Sequence, residues 1–330
     1  MKALALFSGG LDSSLAIKVI LEQGIDVVAL NFTSSFCRCE SAKQGCGSAI
    51  KAMAKHLGAE LKGIYLGQDY LDMVKNPKHG YGKNLNPCID CRIFKFKKAK
   101  QLMEEAGASF IITGEVLGQR PMSQHRSALN IIEKESGLEG MILRPLSAKL
   151  FPATIAEQKG WVDREKLLNI SGRTRRPQIK LAEHFGIKDY PCPAGGCLLT
   201  DPAFSKRVKS ALEYDEFNLE TISLLKASRF FRITPSFRLF VGRNEEENKC
   251  LLGLARKDDF IFEPLRLAGP TAIGKGSADE QIKNKCSQII AWYTDRDNKV
   301  EVKIKKILDD NEKVINTFAI GENELKDLRI

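Results

Sequence analysis

The sequence has no long apolar run. No stretch of its 330 residues approaches the roughly 18 to 20 uninterrupted apolar residues that a membrane-spanning helix needs. The apolar part of the first ten residues, MKALALFSGG, is too short for a secretory signal, and internal repeats and low-complexity tracts are missing. These absences predict a cytoplasmic protein without a membrane partner. The hydrophobic content of 43% is enough for a large core and two domains.

Acidic residues are in deficit, with 41 Asp and Glu against 51 Lys and Arg and a formal net charge of +10. Clustered Lys and Arg attract phosphates and gain affinity by releasing counterions, so the balance fits a polyanionic partner. Two basic segments, GRTRRPQIK (172–180) and KFKKAK (95–100), could follow a folded RNA backbone. Either one alone is equally well explained as a solvated helix surface.

The sequence shows no export signal, but it contains nine cysteines. In a reducing compartment such residues are mostly thiols, and grouping favours metal binding or sulfur chemistry over disulfides. Seven of them fall into three groups: Cys37, Cys39 and Cys46; Cys88 and Cys91; Cys192 and Cys197. Cys250 and Cys286 stand alone and are interpreted as ordinary small apolar residues.

Short apolar runs alternate with amphipathic segments in the first part of the chain. Five predicted strands are ALALF, DVVALNF, LKGIYL, SFIITGE and MILRPL, and the predicted helices between them cover 12–23, 49–57 and 91–106. This order predicts an α/β fold with a doubly wound parallel sheet. Ligands in such sheets bind beyond the carboxyl ends of the strands.

The later part of the chain has a different character. Residues 147–190 form a basic helical segment, a helical stretch follows around 205–227, and residues 232–275 are strand-like. Ser277 and Glu280 form a predicted capping box for a helix that ends near Tyr293, and KVEVKIKKI alternates like a strand. We therefore predict a boundary near 215–230, with domains 1–220 and 221–330, the second a smaller α+β domain.

The segment LFSGGLDSS (6–14) lies between a predicted strand and a predicted helix. Free backbone N–H groups at such a turn bind anions, and glycines let a phosphate approach closely. Ser8, Ser13 and Ser14 add hydroxyl donors, and Asp12 could hold Mg²⁺. The segment GPTAIGKG (269–276) nearly matches a Walker A loop, but Gly276 replaces the Ser or Thr that would bind Mg²⁺, so it is interpreted as a glycine-rich turn.

The pattern S-G-G-x-D-S resembles the PP-loop of the ATP pyrophosphatase superfamily. The resemblance implies a HUP (adenine-nucleotide α-hydrolase-like) fold, with ATP and Mg²⁺ as cofactors and cleavage of ATP between the α- and β-phosphates. The residues it implies at the nucleotide are Ser8, Gly9, Gly10, Asp12, Ser13, Ser14, Asn31, Phe32, Thr113, Gly114 and Gln119.

The segment NPCIDCRIFKFKKAKQLMEEAGASFIITGE (86–115) resembles the tRNA 2-thiouridine synthases. The resemblance implies a tRNA sulfurtransferase that adenylylates a uridine carbonyl and then replaces its oxygen with sulfur. Cys91 occupies the position of that family's catalytic cysteine, and Cys197 in GGCLL that of its second essential cysteine. Together with Asp12 they are the predicted catalytic residues.

Two routes for the sulfur are open at this point. In one, Cys197 carries a persulfide and Cys91 resolves it as a disulfide. In the other, Cys88, Cys91 and Cys197 are the metal ligands of a [4Fe-4S] cluster, which the third thiol at Cys88 favours. Cys192 could replace Cys197 or be a fourth ligand, and a four-thiolate site could also be structural zinc. Cys37, Cys39 and Cys46 receive no role.

The segment FRLFVGRNEEENKCLLGLARKDDFIFEP resembles the RNA-binding R domain of NFACT proteins. Arg243 and Asn244 in its V-G-R-N turn, with Lys275 as a phosphate contact, are the residues implied there. The predicted partners are tRNA and a sulfur donor, either sulfide or a cysteine desulfurase, and a homodimer is left open. Two rival functions are an amide-forming PP-loop synthetase with structural zinc and a non-catalytic RNA-binding protein.

Overall fold

The structure is a computed structural model that describes residues 1–37, 45–188, 190, 197–308 and 312–330. It divides into two compact units, Met1–Thr200 and Asp201–Ile330. The domain limits expected from the sequence, 1–220 and 221–330, stay a prediction. The side chains of Cys39, Cys46 and Cys192 lie outside the described residues.

The first unit alternates strands and helices as predicted, and it has two further helices, at 68–75 and 126–136, that the sequence analysis did not predict. Its strands are β1 (Lys2–Leu6), β2 (Asp26–Ser34), β3 (Glu60–Leu66), β4 (Phe110–Thr113) and β5 (Ile142–Leu143). Its helices are α1 (Leu11–Leu21), α2 (Gly45–Leu57), α3 (Gln68–Lys75), α4 (Cys88–Ala106), α5 (Arg126–Ser136), α6 (Ile155–Gln158) and α7 (Arg176–His184). Helix α4 begins directly after Pro87, one turn earlier than expected, and ends at Gly107, whose φ of 60° is left-handed.

The five strands form a parallel sheet in the order β3-β2-β1-β4-β5. Alternate side chains of the central strands point to opposite faces of the sheet and pack into two separate cores. Ala3 and Ala5 pack with α1, α2 and α7 on one face, whereas Leu4 packs with α4 and α5 on the other. Both faces are covered, so the predicted doubly wound α/β class is confirmed.

The strand register places the predicted site at one edge of this sheet. Leu6 at the end of β1 pairs with Leu30 of β2 and with Thr113 of β4. The loop that follows β1 therefore leaves the sheet beside the carboxyl ends of both neighbouring strands. The strand order changes direction on the two sides of β1, which is where parallel α/β sheets bind ligands.

The second unit is an antiparallel sheet with helices, which confirms the predicted α+β class. Its strands are β6 (Arg229–Thr234), β7 (Phe237–Val241), β8 (Phe260–Pro264), β9 (Ala272–Lys275), β10 (Val300–Lys306) and β11 (Glu312–Thr317), in the order β11-β10-β8-β9-β7-β6. Its helices are α8 (Pro202–Glu213), α9 (Leu219–Lys226), α10 (Glu245–Leu254), α11 (Glu280–Thr294) and α12 (Glu322–Leu328). Helix α11 packs its buried residues, such as Ile289 and Ile290, against the sheet.

Local details of this unit differ from the sequence predictions. The cap of α11 is Asp279, whose carboxylate accepts from the Ile282 N–H at 2.8 Å, so the Ser277 capping box is wrong. The segment GPTAIGKG contains strand β9 rather than only a turn. None of the helices in the described part of the chain is long and apolar enough to cross a membrane.

Candidate nucleotide and thiol site

The loop after β1 presents the start of α1 without a side-chain cap. Gly10 is the N-cap residue in an extended conformation, and its carbonyl accepts the hydroxyls of Ser13 at 2.9 Å and Ser14 at 3.1 Å. The N–H of Ser8 donates to Ser13 Oγ at 3.3 Å. Ser13 and Ser14 are buried while Ser8 is exposed, so the hydroxyls of this loop first fix its shape. The positive end of the α1 dipole is left open for an anion.

Two glycines make this loop possible. Gly9 has a φ of +73°, and a Cβ there would meet Ile50 Cγ1 at 2.7 Å. Gly114, which follows β4, lies against the start of α1: a Cβ on it would be 2.5 Å from the Asp12 carbonyl carbon and the Ser13 nitrogen. Only a residue without a side chain allows this approach, which brings the end of β4 onto the loop.

Asp12 has one occupied and one free carboxylate oxygen. Its Oδ2 accepts from Gln119 Nε2 at 2.8 Å and lies 3.9 Å from Arg175 Nη2, whereas the buried Oδ1 has no hydrogen-bond partner. Gln178 donates in turn to Gln119 Oε1 at 3.2 Å. The unpartnered Oδ1 fits a carboxylate ligand of Mg²⁺. Gln119 thus contacts Asp12 itself.

The other predicted nucleotide residues line the same edge in supporting positions. Asn31 Nδ2 donates to the Phe7 carbonyl at 2.9 Å and so fixes the chain just before the loop. Phe32 is partly buried against the apolar core on the α4 side of the sheet. Thr113 is buried and ends β4 beside Leu6.

A buried network of charges lies behind Gly114. Glu115 is only 2% exposed and binds two guanidinium groups, Arg92 on α4 and Arg144 Nε at 3.1 Å, and Arg144 also binds Glu133. Burial is the main cause that lowers the pKa of a third arginine, Arg120, and the Arg92 charge lowers it further. The charges of Asp12, Cys88 and Glu115 act in the opposite direction on the Arg120 pKa.

The thiol group of Cys91 has a defined partner. Tyr70, only 3% exposed, donates its hydroxyl to Cys91 Sγ at 3.1 Å. Burial raises the pKa of Tyr70 well above its usual value, and the charges of Cys91, Cys197 and Cys37 raise it further. The phenol therefore remains a donor to sulfur. Cys88, the first residue of α4, has its pKa raised by burial and by Cys91.

Cys197 lies in the same neighbourhood although it is distant in sequence. Burial raises its pKa to about 12, and the nearby thiols of Cys91 and Cys37 raise it too, while Lys95 lowers it. Hydrogen bonds hold the segment after Cys197 in place: Leu198 N donates to the Phe36 carbonyl at 3.0 Å, and Leu85 N donates to the Leu199 carbonyl at 3.2 Å. The structure thus brings Cys91 close to both Cys88 and Cys197.

The predicted metal ligands do not form an assembled metal site. Among the residues that the structure describes, no group of three or more His, Cys, Asp or Glu side chains has an arrangement that could hold a metal ion. The donor type suits an iron–sulfur cluster or zinc, but the arrangement of the donors does not. Cys192, the alternative ligand, is outside the described residues.

The basic segments 172–180 and 95–100 use some of their residues for contacts within the first unit. Arg175 and the buried Gln178 turn toward Asp12, while Arg173, Arg176 and Lys180 of the same segment are exposed. In KFKKAK, Lys98 pairs with Asp69 at 3.0 Å and Lys100 donates to the Gly137 carbonyl at 2.7 Å.

The residues expected to contact RNA in the second unit have different environments. Arg243 is partly exposed and pairs with Glu247, and Asn244 caps α10 by accepting from the Glu247 N–H at 2.9 Å. Lys275 is buried, and its ammonium group binds Asp259 at 2.7 Å and Glu220 at 2.6 Å. Its charge is thus paired within the unit, and the phosphate contact at Lys275 stays a prediction.

Sequence reasoning missed several residues of this site. Tyr70 lies in no motif, and Arg175 was assigned to an RNA surface rather than to the loop. Arg92 and Glu115 lie within the segment 86–115, directly after Cys91 and Gly114. Their charge and their position beside the motif residues could have identified them as members of the site. Tyr70 had no such signal, because its contact with Cys91 spans 21 residues.

The strand order, the uncapped glycine-rich loop and the free Asp12 oxygen define an α/β unit whose first turn is suited to an anion, as the PP-loop resemblance implies. Family comparisons agree with both resemblances. Residues 1–149 match the family described as thiamine biosynthesis protein (ThiI), and residues 228–329 match the NFACT protein RNA binding domain.

Individual relatives are similar over the first unit. A probable tRNA sulfurtransferase of Thermococcus kodakarensis is 30% identical over 146 residues, which are 44% of this chain and 36% of that one. A tRNA-specific 2-thiouridylase of Pelobacter propionicus is 30% identical over 118 residues, 34% of this chain and 33% of that one. The chain thus spans about a third of the length of these curated relatives. A 4-thiouridine synthetase solved with RNA and ATP matches with a TM-score of 0.39 and 18% identity, over 68% of this chain and 52% of that one.

Proposed function

We propose that the protein is a tRNA sulfurtransferase. It uses Mg·ATP to adenylylate a uridine carbonyl oxygen, releases pyrophosphate, and replaces that oxygen with sulfur carried by a Cys-bound iron–sulfur cluster or a Cys persulfide. The observation that carries the proposal is the link between the loop and the thiols: Gly114 lies against Asp12, and the next residue, Glu115, binds Arg92, the neighbour of Cys91 on α4. An anion-binding turn and a set of thiols at one sheet edge are what an adenylylation followed by a sulfur transfer requires.

The loop and its surroundings would hold the nucleotide. The open N-terminus of α1 binds phosphate oxygens, and Gly9 and Gly114 allow close approach. Asp12 Oδ1 and the phosphates would hold Mg²⁺, which would neutralise the charge on the leaving pyrophosphate. Arg175, 3.9 Å from the same carboxylate, supplies further positive charge.

Activation by ATP is needed because a carbonyl oxygen is a poor leaving group, whereas AMP is a good one. On the persulfide route the sulfur step uses thiols alone, and no three donors among the described residues are arranged to hold a metal ion. The terminal sulfur of a persulfide on Cys197 attacks the activated carbon, and AMP leaves with the former carbonyl oxygen. A second thiol then attacks Cys197 Sγ and forms a disulfide with it, and the transferred sulfur stays on the base.

The acceptor and the donor are part of the proposal. The NFACT-type match at 228–329 supports an RNA acceptor, and the sulfurtransferase relatives support tRNA in particular. On the persulfide route a cysteine desulfurase supplies sulfur already at the persulfide level, because sulfide would need a two-electron oxidant to form a persulfide; sulfide is the donor that suits the cluster route.

A two-part assay tests the proposal. Unmodified tRNA is incubated with Mg·ATP and a sulfur source, and its nucleosides are analysed by mass spectrometry, while exchange of labelled pyrophosphate into ATP reports adenylylation. We expect Asp12→Asn to lower both signals by about 100-fold or more, with Asp72→Asn, an exposed carboxylate on α3, as the matched control. Thiouridine made at the wild-type rate by Asp12→Asn would contradict the role of the loop.

Iron, acid-labile sulfide and zinc measured after purification without oxygen decide between the sulfur carriers. Iron with sulfide supports the cluster, and neither metal supports the persulfide. Zinc without iron favours the amide-forming alternative.

A further inference from the structure

Cys37 lies beside the predicted thiols although the sequence assigns it no role. It follows Phe36, whose carbonyl accepts from Leu198 N at 3.0 Å, and Leu198 follows Cys197. The two segments are therefore hydrogen-bonded neighbours next to their cysteines. A disulfide requires two Cα atoms about 4.4 to 6.8 Å apart, and this hydrogen bond joins the peptide group that precedes Cys37 to the one that follows Cys197.

The surroundings of Cys37 bring it to the same buried group. The Phe36 ring contacts the Tyr70 ring at a centroid distance of 6.3 Å, and the Tyr70 hydroxyl is bonded to Cys91 Sγ. Tyr70 thus contacts both Cys91 and the residue that precedes Cys37.

The Cys37 sulfur has a backbone donor beside it. Ser34 N–H donates to Cys37 Sγ at 3.4 Å, and Ser34 Oγ lies 3.8 Å from the same sulfur. A cysteine sulfur is the nucleophile in disulfide exchange. Cys37 is partly exposed, so a reductant can also reach it.

We propose that Cys37 is the resolving thiol that forms a disulfide with Cys197 after sulfur transfer, a step that rests on the proposed function. Once the persulfide has added to the activated base, Cys37 thiolate attacks Cys197 Sγ and the Cys37–Cys197 bond forms. The bond between Cys197 Sγ and the transferred sulfur breaks, and its electron pair stays on that sulfur. The transferred sulfur is reduced by two electrons while two thiols become one disulfide, which an external dithiol reduces before the next turnover.

Disulfide mapping of the wild-type chain tests the pairing without catalysis. The full chain is oxidised mildly with diamide, alkylated, digested and analysed by mass spectrometry without reductant. We expect Cys37–Cys197 as the main disulfide in the wild type and in the control Cys250→Ser, an exposed cysteine of the second unit. A predominant Cys91–Cys197 pair would overturn the proposal.

Turnover gives a second, independent readout. Without a resolving thiol, the tRNA stays attached to Cys197 through the transferred sulfur. Cys37→Ser is therefore expected to accumulate a protein–tRNA adduct that dithiothreitol releases. Its thiouridine yield should fall by about tenfold or more, while pyrophosphate exchange stays unchanged. An adduct in Cys91→Ser but not in Cys37→Ser would refute the assignment, as would cluster-bound iron and sulfide that depend on Cys197. A wild type that makes no thiouridine would refute the proposed function, and the mapping would still decide the pairing.

Discussion

Gly114→Ala tests whether the contact between the end of β4 and the start of α1 shapes the loop. The added Cβ would lie 2.5 Å from the Asp12 carbonyl carbon and the Ser13 nitrogen, and 2.6 Å from the Asp12 oxygen. Non-bonded carbon contacts are most favourable at about 3.5 to 4.0 Å, so the two backbones must separate by roughly 1 Å. The atoms in the way belong to the backbone of Asp12 and Ser13, so no side-chain rotation can relieve the contact.

The magnitude follows from this displacement. Overpacking of this kind costs about 1 to 3 kcal/mol of unfolding free energy, and a displacement of about 1 Å at a reacting centre lowers the rate by roughly 100-fold. We therefore expect Gly114→Ala to lose about 2 kcal/mol of stability in the first unit and about 100-fold in pyrophosphate exchange.

Gly63→Ala is the matched control. Gly63 is an exposed residue of β3 in the same sheet, and a Cβ there meets nothing within 4 Å. Alanine at this position leaves activity unchanged and stabilises by at most about 1 kcal/mol, because it restricts the unfolded chain.

The assay can report on the first unit alone. Trp161 stacks on Phe110 of β4 at a centroid distance of 6.3 Å, and the chain's other tryptophan, Trp292, belongs to the second unit. Denaturant titration of Trp161 fluorescence in a Trp292→Phe background therefore follows the unit that contains the loop. Equal stability and equal pyrophosphate exchange for Gly114→Ala and Gly63→Ala would refute the reasoning.

Three further predictions concern buried polar groups. Lys275→Met leaves two carboxylates without their cation and should cost about 3 to 5 kcal/mol, measured by Trp292 fluorescence in a Trp161→Phe background; a loss below the cost of an exposed pair would contradict the burial. Glu115→Gln should destabilise the first unit by a similar amount of about 3 to 5 kcal/mol, because two guanidinium groups lose their carboxylate; unchanged denaturant midpoints would show that the network is dispensable. Tyr70→Phe removes the buried hydrogen bond to Cys91 and should cost the first unit about 1 kcal/mol of unfolding free energy, measured by Trp161 fluorescence in the Trp292→Phe background; an unchanged denaturant midpoint would mean that this hydrogen bond does not contribute to stability.

The organisation of the chain was largely accessible from local patterns. Apolar periodicity and the glycines at 24 and 107 were enough to place β1 to β5 and the ends of α1 and α4. The spacing of hydroxyls and glycines at 8–14 was enough to predict an anion loop, because the geometry of a strand–turn–helix is set by neighbouring residues. Local competition explains the errors: Asp279 and Ser277 are both acceptable caps, and only the packed helix shows which one is used.

The partners of individual side chains were decided by the tertiary structure alone. Lys275 looked like a free cation because its carboxylates, Asp259 and Glu220, are 16 and 55 positions away, and the fold buries all three together. Tyr70 meets Cys91 and Phe36 meets Leu198 for the same reason. Sequence thus determined which chemical groups this protein has and on which elements they lie. Which of these groups touch depends on long-range packing. Contacts between distant segments form only when the folded sheet places the loops at its carboxyl edge next to each other.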